Sequence, residues 1–101
     1  MVLFMKAKII MPKGVNSLIE NGTFSDKDLL SALIQFTSND WGILSDEDKK
    51  LQDELLLIPN SEYNKRFMGV YMIHNIKIWF FREYDYSIDT FLTTILLPEE
   101  Y

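Results

Sequence analysis

The chain contains no cysteine. That excludes disulfides, thiolate catalysis and cysteine-ligated metals, and it fits a cytoplasmic protein. Histidine occurs once, at His74. A single imidazole needs an orienting partner to act as a base and further ligands to hold a metal. No Gly-rich phosphate loop, nucleophile elbow or Ser-His-Asp arrangement is present. No apolar run approaches the roughly 18 residues of a membrane span. The opening Met1-Val2-Leu3-Phe4-Met5-Lys6 is too short for a signal peptide and lacks its leading basic region. Asn21-Gly22-Thr23 matches a glycosylation acceptor but, without a secretion signal, reads as a turn. Clustered Lys and Arg are also missing, so direct nucleic-acid binding is not expected.

What is present is an ordinary globular composition with an acidic bias. The 101 residues are 48% hydrophobic and 25% charged, with a net charge of −5. That length supports one core, and 1–101 reads as a single domain. The charge is uneven. Residues 1–25 carry a net +2, residues 26–54 carry eight acids against three lysines, and the remainder carries a net −2. An acidic face favours a basic partner, or serves solubility alone. Aromatics make up 14% of the chain, enough to fill a small core or to supply a contact face.

Along the chain, Val2 to Met11 reads as a strand ended by Pro12 and Gly14. Val15, Leu18 and Ile19 have helical spacing, and Asn21-Gly22 stops that helix. Ser25 with Asp28 resembles a capping box. It opens a helix over 26–37 whose apolar stripe is Leu29, Leu30, Leu33, Ile34 and Phe36. Ser45-Asp46-Glu47-Asp48 repeats the capping signature, with acids at the positive end of the helix dipole. Leu51, Leu55, Leu56 and Ile58 continue that third helix to Pro59. From Arg66 the period becomes two, giving strands on either side of a His74-Asn75 hairpin turn. Arg82 to Asp89 reads as a loop, and Phe91 to Leu97 as a final strand with β-favouring residues. The order β-α-α-α-β-β-β predicts an α+β domain with helices packed on an antiparallel sheet of three to four strands.

Several residues invite a chemical reading. His74 is expected to be a surface turn residue. The acids at 46, 47, 48, 53 and 54 lack the alternate spacing and central Gly of a calcium loop, so no metal or cofactor is expected. Asp40 beside Trp41 either caps a turn or forms half of an acidic-aromatic patch. If the chain alternates as a strand there, Glu83 and Asp85 share a face around Tyr84. They suit either acid–base work or a salt bridge with Arg82 or Arg66. Trp79 and Phe81 alternate with Ile78 and Phe80. A sheet covered on one face leaves one pair to be wrapped by a C-terminal loop or by a partner.

Asn39-Asp40-Trp41-Gly42, Ser45-Asp46-Glu47-Asp48-Lys49, Ile78-Trp79 with Glu83 and Asp85, and the ending Thr93-Thr94-Ile95-Leu96-Leu97-Pro98-Glu99-Glu100-Tyr101 together resemble one family. It comprises small bacterial proteins carried on plasmids, phages and integrative elements. Its members show a Gly-Asp-Trp-Gly segment, a Trp-(apolar)-(apolar)-Thr-Glu-Ala-Asp-Arg segment and a closing Thr-Thr-(apolar)-Leu-Leu-Pro-Glu-Glu-Tyr. Some are labelled restriction-system subunits although they are far too short to be methyltransferases. The resemblance spans about residues 8–101, one domain in extent. The chain departs from the pattern at Phe36, where the family usually has His. It departs again at Asn39 (Gly), Ile43 (Asp) and Tyr86 (Arg), and by an insertion of about four residues near Ser87 to Phe91, a predicted loop.

The resemblance implies a mobile-element accessory protein. The expectation is a non-enzymatic inhibitor of a host defence nuclease complex, of anti-CRISPR or anti-restriction type, presenting an acidic face to a basic protein surface. Its partner-facing candidates are Asp40, Trp41, Asp46, Glu47 and Asp53. Two alternatives are an interaction module homodimeric through Trp79 and Phe81, and a small hydrolase or nucleotide binder using Glu83, Asp85 and Tyr84.

Overall fold

A computed structural model describes residues 7–101. The part of the first expected strand before Ala7 lies outside the described residues. Strand β1 covers Ala7–Ile10 and is followed by helix α1 (Lys13–Glu20), helix α2 (Asp26–Thr37) and helix α3 (Asp46–Leu56). A single helical turn, α4 (Ser61–Asn64), precedes strands β2 (Phe67–Ile73), β3 (Ile76–Asp85) and β4 (Thr90–Leu96). The fold is the expected α+β domain in the order β-α-α-α-β-β-β, with α4 too short to leave a periodic signature.

The four strands lie in the order β1-β4-β3-β2. The β2–β3 and β3–β4 pairs are antiparallel hairpins, and β1 joins the far edge parallel to β4, so the sheet is mixed. The first hairpin turns at His74 and Asn75, both with positive φ, which is the backbone that a two-residue turn requires. Strand β3 runs on to Asp85, through residues that the sequence pattern assigns to a loop. Period-two alternation continues under the charged letters: Arg82 lies over the Phe67 ring, and Tyr84 packs edge-on against Phe91.

One sheet face carries Phe67, Tyr71, Ile73, Ile78, Phe80 and Ile95 into the core, against Val15, Phe24, Leu29, Ala32 and Phe36 from the helical side. The Ser25 hydroxyl accepts the Asp28 N–H, and the Asp28 carboxylate accepts the Ser25 N–H, so α2 opens on the expected capping box. Only part of its expected stripe is interior. Leu29, Ala32 and Phe36 are buried, whereas Leu30 and Ile34 remain on the surface.

The C-terminus covers the opposite sheet face. Pro98–Glu100 form a 3₁₀ turn, and the Tyr101 ring packs on both Trp79 and Phe81. Arg66 lies 3.8 Å from the Phe81 ring centroid and donates to the Tyr101 hydroxyl. The Glu100 carboxylate accepts the Leu97 N–H and, at the start of α1, the Gly14 N–H. Those last residues therefore tie the sheet to the first helix.

Candidate partner-binding surface

Trp41 is interior. It is 3% exposed, stacks on Phe67 and meets Phe36 edge-on. Its indole N–H donates to Asp53 Oδ1 at 2.8 Å. The expectation that Trp41 faces a partner is therefore corrected. Burial of a large ring against two aromatic neighbours outweighs any contact role for it.

Its neighbours explain why this segment folds as it does. Asp40 is exposed, but its carboxylate accepts the Gly42 N–H and a Gln35 side-chain amide proton. The Gly42 bond, then the Gln35 bond, hold the Asp40 carboxyl below its ordinary pKa. The Tyr71 hydroxyl donates to the Asp40 carbonyl at 2.6 Å. Burial first, and the Asp40 charge second, push that phenol upward. Gly42 has φ +74°, and a Cβ there would sit 1.8 Å from the Val70 carbonyl oxygen. That approach lets residues 41–43 zip onto the edge of β2. Val70 donates to the Trp41 carbonyl, and its own carbonyl accepts the Ile43 N–H. Asp40 is thus a turn residue first, the structural one of its two expected roles.

Helix α3 packs beside this clamp. Ser45 caps it by accepting the Asp48 N–H, and Asp46, Glu47 and Asp48 occupy its first turn. None of its residues is buried. Two polar contacts hold it to the body: Gln52 accepts the Met68 N–H, and Asp53 accepts the indole N–H. Leu44 and Leu55 pack partly against the core. The rest of its apolar stripe stays outside. Leu51 is 56% exposed and Leu57, just past the last turn, is 83% exposed, with Leu56 and Ile58 also on the surface.

Of the sequence-derived candidates, Asp46 and Glu47 stand exposed on α3, and Asp53 is exposed with one oxygen engaged by Trp41. Glu54, Leu51, Leu57 and Ile58 join them on the surface of the same helix and its exit. Sequence reasoning assigns the leucines to the interior because a stripe of helical period ordinarily faces a core. The available signal is the flanking pattern, since a core-facing stripe is seldom bordered so densely by carboxylates.

The other candidate chemistry resolves into structure. His74 Nε2 meets Asp28 Oδ2 at 2.9 Å on the surface. A backbone bond from Ser25, then the His74 contact, hold the Asp28 carboxyl below its ordinary range. Asp85 Oδ1 accepts the Ser87 hydroxyl and N–H, which lower its pKa in that order. Acid–base work by a carboxylate pair needs one member raised instead. Phe81 is buried and Trp79 half-buried beneath Tyr101, so the surface expected for a homodimer is wrapped by the chain's own C-terminus. Phe36, where the resembled family usually has His, is 1% exposed between Trp41 and Phe80. Among the described residues, no three His, Asp or Glu side chains converge on a metal position. No helix there is long and apolar enough to cross a membrane.

Comparison with known proteins returns no family model, no curated protein and no solved structure that matches this chain.

Proposed function

We propose that this protein acts by occupying another macromolecule, and that its contact surface is the outer side of α3. The observation that carries the reading is a helix with no buried residue, with Glu47 and Glu54 exposed alongside Leu51 and Leu57. Exposed leucines supply desolvation energy at an interface centre, and surrounding carboxylates supply steering and register toward a basic partner. Asp46 and Asp53 extend the negative side.

The partner class we favour is a nuclease complex of a host defence system, blocked at the basic groove where it holds nucleic acid. That choice rests on the resemblance to small plasmid and phage proteins and on the charge match. The test is affinity capture from a restriction- and CRISPR-proficient bacterial host, followed by a cleavage assay on the captured complex. The reading predicts an identified nuclease whose cleavage falls as the protein is titrated in. Capture of no nuclease, or unchanged cleavage at saturation, contradicts it.

Self-association is a second reading, favoured by a different surface from the one first expected. Strand β1 lies at a sheet edge with Ile9, Ile10 and Met11 exposed, and Leu30 lines the same groove as Ile9 and Met11. Exposed apolar edges pair readily with a second copy. Sedimentation equilibrium showing a monomer at high concentration removes this reading.

A further inference from the structure

Arg82 is a cation on the core-facing side of β3. Its guanidinium carbon lies 5.0 Å from the Phe67 ring centroid and 5.7 Å from that of Phe36. Among the described residues Arg82 forms no ion pair. Residues 1–6 contain no acid that might supply one. Burial lowers the Arg82 pKa, and the charge of Glu62 only partly offsets this. A half-buried cation that makes no ion pair with the neighbouring Glu62 is costly to keep. Among the described residues the Arg82 nitrogens have no hydrogen-bond partner, and none of them is a fully buried atom left unpaired.

They open into a cleft of about 270 Å³ lined by Arg82, Thr93, Thr37, Glu62, Phe91 and Ala7. The Thr37 hydroxyl is committed to the Ile34 carbonyl. Thr93 has no such commitment among the described residues, which leaves its hydroxyl as a second donor. Phe91 and Ala7 supply an apolar wall.

We propose that this cleft binds a monocarboxylate, its two oxygens paired with the Arg82 guanidinium and its apolar body laid against Phe91. A planar guanidinium fork matches a carboxylate in both geometry and charge. One Arg facing one Glu makes the cleft nearly neutral overall, which disfavours a phosphate dianion. The site is separate from the α3 surface and does not depend on the reading given to that surface.

The test follows the Arg82 side-chain N–H resonance of the full-length ¹⁵N-labelled protein during titration with sodium benzoate, against sodium chloride at matched ionic strength. A saturable shift in the range of about 1–10 mM is expected, the affinity of one charge-assisted pair plus one ring face. Arg82→Lys weakens it about tenfold by removing the fork. Thr93→Val keeps the strand-favouring shape and weakens it about threefold, so the proposal stays testable if the Arg82 variant does not fold. A shift that grows linearly and equals that of chloride overturns the proposal, as does phosphate binding as tightly as benzoate. A peptide with a free C-terminal carboxylate, compared with its amidated form, separates the two sources of this chemistry. Binding of the free-acid peptide above benzoate points to a chain terminus, binding below it points to a small acid, and both uphold the carboxylate.

Discussion

At the scale of single residues, Trp41 and Gly42 serve the fold rather than a contact surface. The indole closes the core over Phe67, and its N–H donates to Asp53. Asp53→Ala leaves that donor without its protein acceptor and is expected to cost about 1–2 kcal/mol in urea denaturation. Asp53→Asn keeps an amide oxygen in place and should cost no more than about 0.5 kcal/mol. Equal losses for the two variants would show that the carboxylate charge, and not the hydrogen bond, matters there. Gly42→Ala combines a left-handed backbone with a Cβ driven into the Val70 carbonyl. An expected loss of about 2–3 kcal/mol follows, and a melting temperature unchanged from wild type would contradict the clamp on β2.

At the scale of elements, α2 and α3 begin with similar caps and end in different circumstances. Helix α2 drives Leu29, Ala32 and Phe36 into the core, while α3 buries nothing fully and leans on Gln52 and Asp53. Amide protons near Leu51 in α3 should therefore exchange at least about tenfold faster than those near Ala32 in α2. Matching protection would mean that α3 is as tightly integrated as α2 and has less freedom to serve as a contact surface. Caps, helix limits and the His74-Asn75 turn were legible in the sequence because they are set by neighbours a few residues away. Burial was not, because it depends on which stripe meets the sheet. Leu30, Ile34 and Leu51 have the period of core residues and lie outside. Arg82 and Tyr84 look like loop residues and extend β3 over the aromatic core. The parallel placement of β1 beside β4 likewise follows from two hairpin reversals some 60 residues downstream, beyond any local signal.

At the scale of the whole molecule, acid should loosen the structure in a defined direction. Asp28, Asp40 and Asp85 all have pKa values lowered by native hydrogen bonds. A carboxyl depressed in the folded state contributes stability that is complete above its unfolded pKa. That contribution is lost as pH falls below about 4 and through the depressed folded values. Thermal melts should show a plateau between about pH 5 and 7 and a falling midpoint below about pH 4. A midpoint that rises on acidification would contradict the assignment of these bonds. The charge that acid removes is also the charge the protein is proposed to use, since residues 26–54 carry eight of its fifteen acids.

The outer side of α3 is the proposed contact surface. Once a nuclease partner is captured, its affinity can be measured by calorimetry against wild type and against a variant carrying Glu47→Gln, Leu51→Ser, Glu54→Gln and Leu57→Ser. All four side chains are exposed, so the variant should keep its fold, each substitution costing no more than about 0.5 kcal/mol. It is expected to bind at least about thirtyfold more weakly. Binding within about twofold of wild type, a difference of under about 0.5 kcal/mol, would contradict it.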